Sequence, residues 1–536
     1  MYIEELKQNL NNKIGDIINI YLKIYWNRIS NRGEKNLYNI YFNREIKRVL
    51  YNKYLENINI DKRDISVVYD CIINDLNSEI DKRIRNSNIN ELMAILYGIA
   101  CFQAEFHGRV FITLNNNTSN FSNILHIEKD ILRYIERNLK KRFIVDSISA
   151  TDKSSIQYLI EKCMHFSSDS DNQNNFGVKL FTDVYMMSLI ITNLIAEKNM
   201  LLSGLCDDIS VWINDYMIYN NLDRYYDNEI IYKEYIEDLN FDIRDYDSKI
   251  IEKLKNNFFK SYGFRIETIE RFLNSTNKTI KDTELVHLVE EKTLVKAFCD
   301  DSGADIEEIR FLIKYLTITK SIEYDKLKSM ENYSNRILEK AFININNCNI
   351  SIYMFSYIIL LHSYEILIRK LVYNLLPKCK KINSKIIERE IKNNLVIDCS
   401  NILKKYTNKI IINAHKVYIN NEKIITLSNE IDLIAVVTKK LFIIECKDIY
   451  YKFTPYGFKC DINKTYSFIS KMEKKYKSVL ENKQNLEIKF GCEIEEIQPI
   501  IVFKTYNMAI NSKLNNNRIK IINFNGLEKL IRDTKN

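Results

Sequence analysis

Two apolar runs near the C-terminal end carry charges where a core strand should have none. The first is Asn429-Glu430-Ile431-Asp432-Leu433-Ile434, and the second, after a short gap, is Leu441-Phe442-Ile443-Ile444-Glu445-Cys446-Lys447. Ile, Val, Leu and Phe dominate both, which predicts two β-strands joined by a tight turn at Thr438-Lys439-Lys440. On a strand, Glu445 and Lys447 share one face while Cys446 points to the other. A two-residue loop at Lys439-Lys440 would pair Thr438 with Leu441 and bring Asp432 opposite Lys447. Asp432, Glu445 and Lys447 then converge. Burying three charges together is costly unless they bind a cation or one another.

Glu-Ile-Asp-Leu-Ile, a turn, and Ile-Ile-Glu-Cys-Lys resemble the core of the PD-(D/E)xK nuclease superfamily, the restriction-endonuclease-like fold. Ile431 stands where the namesake Pro would be. The flanking pattern agrees: an amphipathic helix over about Ser384–Leu395, a longer one over about Ile462–Gln484, and apolar strands at Pro499–Phe503 and Ile519–Phe524. The resemblance covers residues 378–536. It implies an α-β-β-β-α-β core with a mixed central sheet, and a metal-dependent phosphodiesterase. By that resemblance Asp432, Glu445 and the backbone carbonyl of Cys446 hold Mg²⁺, with Mn²⁺ as a substitute. Lys447 would orient the attacking water or steady charge on the phosphate. The alternative for Lys447 is an ion pair with Asp432 in an inactive site.

Many members of that superfamily add a carboxylate from the preceding helix. With Ile387, Ile391 and Leu395 as a buried stripe, Glu388 lies on its edge and Glu390 rotates further away. Glu388 is preferred, and Glu430, on Asp432's side of its strand, is a rival. Substrate contacts are expected from Lys452, Lys459, Lys464, Lys471 and Lys475. The first two belong to Tyr450–Lys459, an aromatic and lysine-bearing loop in which Pro455 and Gly457 mark a turn. The other three lie on the following helix, whose buried stripe is Ile469, Met472, Tyr476 and Val479; a solvated lysine face is the competing reading.

Charge divides unevenly. Residues 378–536 hold 30 Lys+Arg against 17 Asp+Glu, a net of +13, so residues 1–377 carry −5 of the chain's +8. The basic excess therefore belongs to the nuclease-like segment, where a polyanion would bind. Proline divides the same way, since Pro377, Pro455 and Pro499 are the only three. Pro377 with the lysines that follow is the expected boundary. Residues 1–377 show helical periodicity and no convincing β alternation, so a mostly α-helical region is expected, with one or more subdomains.

Within it, Gly263-Phe264-Arg265-Ile266-Glu267-Thr268-Ile269 is echoed by Gly303-Ala304-Asp305-Ile306-Glu307-Glu308-Ile309. Each predicts a turn feeding a new helix. A DNA-reading helix-turn-helix is disfavoured because Asp305, Glu307 and Glu308 would repel phosphate, which leaves helical hairpins. The apolar runs Val184–Ala196 and Ile352–Leu361 are too short to span a membrane and read as buried helices. The 11 cysteines are scattered singly, which predicts reduced thiols and a cytoplasmic protein. Cys163-Met164-His165 is too tight for a zinc site. No phosphate-cradling Gly-rich loop or nucleophile elbow is present.

The expected function is a metal-dependent nuclease, with DNA the leading substrate, in bacterial defence or repair. Its helical region would recognise substrate, sense a signal, or assemble with a second copy or a partner protein. The alternatives are an inactive nucleic-acid-binding module, or a helical scaffold whose nuclease acts only within a complex.

Overall fold

The structure, a computed structural model, describes residues 2–30, 36–51, 53–114, 125–138, 142–167, 177–202, 209–221, 248–276, 285–319, 323, 325, 336–347, 350–387, 393–419, 424–449, 455–512, 514–515 and 518–535. It divides into two compact units. One comprises residues 1–198, 210–221 and 255–371; the other comprises residues 199–209, 222–254 and 372–536.

The first unit is predominantly helical. Its helices are α1 (Tyr2–Ser30), α2 (Leu37–Tyr51), α3 (Ile65–Arg85), α4 (Ile89–Leu114), α5 (His126–Arg137), α6 (Arg142–Phe166) and α7 (Val178–Leu201), then, beyond α8 (Ser248–Tyr262), which runs across the division, α9 (Ile266–Thr276), α10 (Glu291–Ser302), α11 (Ile306–Leu316) and α12 (Tyr357–Val372). Helix α1 shows why: Ile14, Ile17, Ile18, Tyr21, Leu22, Tyr25 and Ile29 recur at three- and four-residue spacing, and all are buried.

Among the described residues two short antiparallel sheets stand between the helices of this mostly α-helical unit, where the sequence shows no convincing β alternation. The first orders β1 (Ile58–Ile60), β2 (Val211–Asn214) and β3 (Met217–Asn220). The second orders β4 (His287–Glu290), β6 (Ile350–Phe355) and β5 (Ile343–Asn347). The run Ile352–Leu361 is therefore not one helix. It ends strand β6 and begins α12 across Ser356, because its β-branched start pairs on both edges. The run Val184–Ala196 lies in α7, whose 24 residues are long and apolar enough to cross a membrane, although 61% of its most apolar window is buried in the protein.

The forty-residue echo has a structural counterpart. Gly263 and Gly303 both take positive φ, 82° and 69°, and each turn feeds a helix, α9 and α11. Asp305 caps α11 by accepting from the Glu308 amide. The buried Glu308 carboxylate accepts from the Arg265 amide (3.0 Å), the Arg265 guanidinium (2.6 Å) and the Thr268 hydroxyl (2.6 Å). The acidic start of α11 thus fastens one hairpin to the other.

The second unit contains α13 (Lys380–Ile386), α14 (Asn393–Lys404), β7 (Ile410–Tyr418), β8 (Ile424–Val437), β9 (Lys440–Lys447), α15 (Pro455–Glu481), α16 (Lys483–Phe490), β10 (Glu496–Phe503), β11 (Lys520–Asn523) and α17 (Phe524–Lys535). Its five-stranded mixed sheet has the order β11-β10-β9-β8-β7. The β7/β8 and β8/β9 pairs are antiparallel, whereas β9/β10 and β10/β11 are parallel. Both faces are covered. Ile434, Val436, Leu441, Ile443, Ile501 and Phe503 pack on Ile462, Met472 and Val479 of α15. Leu433, Val437, Phe442, Ile444, Ile500 and Val502 pack on Leu395, Cys399 and Leu403 of α14 and on Leu527 and Ile531 of α17. Burial on both faces explains why β9 and β10 read as nearly unbroken apolar runs.

The expected helix over Ser384–Leu395 is described only at its two ends, in α13 and α14, because residues 388–392 lie outside the described residues. Two local expectations are corrected. The turn expected at Pro455 and Gly457 is instead the first turn of α15, with Pro455 at the first helical position, where an amide would have no intrahelical acceptor. The β8/β9 loop is Thr438-Lys439, not Lys439-Lys440, because Val437 pairs with Lys440 and Leu433 with Ile444.

Candidate active site

That shift of register changes the pairing but not the face. Continuing the ladder beyond Leu433 and Ile444 sets Asp432 across from Glu445 rather than Lys447. A shift by two residues preserves the alternation, so Asp432, Glu445 and Lys447 still lie on one side of the sheet, with Ile434, Ile443 and helix α15. Cys446 faces the other way and its thiol meets that of Cys399 on α14; this contact and burial push the Cys446 thiol well above its ordinary range.

The cluster sits where β8 and β9 part. There the Cys446 amide donates to Asp432 Oδ2 at 2.7 Å, and the Lys504 amide on the β10 side donates to the Lys447 carbonyl at 3.0 Å. Lys447 Nζ lies 2.7 Å from Glu445 Oε1, and 5.2 Å from the ring centroid of Phe468 on α15.

Lys475, reached from α15, ion-pairs with Glu445 Oε2. Expected among the substrate-contacting lysines, Lys475 is buried and lies against Glu445. The signal was its place beside the stripe of Met472, Tyr476 and Val479, which turns it towards the sheet. One turn on, the Ser428 amide of β8 donates to Ser478 Oγ at 3.0 Å, fixing α15 over the strand that carries Asp432.

The charges are unevenly matched. Both oxygens of Glu445 meet an ammonium, whereas Asp432 has one backbone donor. Burial first, and then the neighbouring Glu445 charge, raise Asp432 from the ordinary 3.8 to about 6, against the Cys446 amide, Lys447 and Lys475. Asp432 is a carboxylate short of positive charge, the condition a bound cation relieves. Two hard carboxylates suit Mg²⁺ in donor type. Among the described residues no third His, Cys, Asp or Glu joins them in a metal-binding group.

The remaining predicted residues scatter. Glu388, Glu390 and Lys452 lie outside the described residues, as does the side chain of Lys459 in the first turn of α15. Glu430 is exposed on β8, and Lys464 and Lys471 are exposed on α15. No family model, curated protein or solved structure matches this chain.

Proposed function

We propose that the second unit is a metal-dependent nuclease of the restriction-endonuclease-like type, hydrolysing phosphodiester bonds of nucleic acid, DNA foremost. The observation that carries this reading is Asp432 beside Glu445 and Lys447 at the parting ends of two buried strands, with Asp432 under-compensated. The order α14-β7-β8-β9-α15-β10, with the short α16 inserted before β10, supports it, since it follows the α-β-β-β-α-β order that the sequence resemblance implies.

Asp432 and Glu445 would hold the ion through hard oxygens, with the Cys446 carbonyl beside them. A divalent ion so bound supplies Lewis acidity and a bound water of lowered pKa. Lys447 sets an ammonium next to those carboxylates, where it orients a water or steadies charge on the phosphate. The +13 of residues 378–536 favours a polyanionic substrate. The first unit would recognise substrate, take a signal or bind a partner.

A second reading, a nucleic-acid-binding domain with a structural ion cluster, draws on Glu445 having both oxygens paired. Incubation with supercoiled plasmid, linear duplex, single-stranded DNA and RNA, in Mg²⁺, Mn²⁺ or EDTA, separates the two. Cleavage that needs the ion supports the nuclease and identifies the polymer. Retention of nucleic acid without cleavage in either metal supports the second reading.

A further inference from the structure

We infer that Lys475 is an internal counter-cation that occupies Glu445 in the metal-free protein and competes with the divalent ion for it. The inference rests on the reading of Asp432 and Glu445 as metal ligands, and it assigns a role to a residue that reading leaves unused.

The argument begins with where Lys475 is. Lysine heads normally reach water, yet this one is 8% exposed. It points from α15 into the sheet rather than outwards like Lys471, Lys474 and Lys477, which are exposed on the same helix. Its partner is not a dedicated acid of its own. It shares Glu445 with Lys447, one ammonium on each carboxylate oxygen. Helix α15 is fixed over β8 through Ser478, so the base of the Lys475 side chain is held while its long stem can redirect the head.

Charge counting gives the consequence. Asp432 and Glu445 against Lys447 and Lys475 make the four-residue cluster neutral when all are ionised. An ion reaching Glu445 must displace an ammonium from one oxygen, so Lys475 weakens metal binding. Once a divalent ion is seated the cluster becomes doubly positive, and the displaced ammonium remains on the face where a phosphate would approach. Removing the Lys475 charge therefore has opposite effects on the two ligands: metal should bind more tightly and nucleic acid more weakly. A merely structural lysine would not do this, because local damage weakens both.

The test uses the full chain and two readouts apart from turnover. Mn²⁺ affinity is measured by calorimetry. Binding to a short labelled duplex is measured by fluorescence anisotropy in Ca²⁺. Lys475→Met should bind Mn²⁺ at least about tenfold more tightly than wild type and the duplex several-fold more weakly, as expected when one nearby unit charge is removed. Lys475→Arg, which keeps the charge, should stay near wild type, and Lys475→Gln offers the same contrast should the methionine variant fold poorly. Unchanged Mn²⁺ affinity in the neutral variants, or weakening of both ligands, would overturn the role of Lys475 while leaving the metal site standing. Absence of Mn²⁺ binding in every protein would overturn it together with the metal-site reading.

Discussion

Asp432→Asn should stabilise the metal-free protein, against the usual direction for a buried polar substitution. The carboxyl is raised from 3.8 to about 6, so ionising it in the folded state costs ~3 kcal/mol relative to the unfolded chain. The amide cannot ionise and avoids that cost while keeping an acceptor for the Cys446 amide. The gain is therefore up to ~3 kcal/mol well above pH 6. The sign follows from linkage. A carboxyl whose folded pKa lies above its unfolded value penalises folding fully above the folded pKa, and the penalty disappears as pH falls below the unfolded one. The advantage of the variant should thus be complete near pH 7 and gone by about pH 3.8. Both tryptophans, Trp26 and Trp212, belong to the first unit, so fluorescence does not report on this sheet. Hydrogen exchange of β8 and β9 amides in EDTA is the suitable assay, with protection converted to an opening free energy. Equal or lower protection in Asp432→Asn near pH 7 would refute the claim that Asp432 is under-compensated.

Glu308→Ala should destabilise the first unit by ~3 kcal/mol, because it removes three bonds to Arg265 and Thr268 and leaves those donors partly buried; Trp fluorescence in a urea titration checks this. Thr438→Gly should raise stability by about 1 kcal/mol, since a β-branched residue at φ 54° resists the hairpin turn, and exchange of the β8/β9 amides would show the gain.

The strands that carry the site were legible because burial on both faces leaves little but Ile, Val, Leu and Phe in β9 and in the β8 segment from Leu433. The charges at their ends therefore stood out. Strand β7 was missed: it forms the sheet edge, its residues Asn413, His415 and Lys416 break the apolar pattern, and its ladder shifts register between Ala414 and Lys416. The turn was misplaced for a physical reason. Propensity steers a reader away from a β-branched residue at positive φ, yet Thr438 takes that position because the strand pairing on either side dictates it. Strands β5 and β6 escaped notice because their segments are short, rich in Asn in the first case and continuous with an apolar helix in the second. Lys475 was legible as a lysine beside the buried stripe of α15, and so turned towards the sheet, but its pairing with Glu445 depends on how the helix docks, which the sequence pattern does not specify.

The most direct test of the central claim is plasmid cleavage in Mg²⁺ by wild type beside Asp432→Ala, Glu445→Gln and Lys447→Ala, each checked for retained structure. The account predicts nicking or linearisation by wild type that EDTA abolishes, and a loss of at least about a hundredfold in each variant, the scale of removing a group that stabilises charge at the reacting centre. Cleavage that persists undiminished in Asp432→Ala or Glu445→Gln would contradict it.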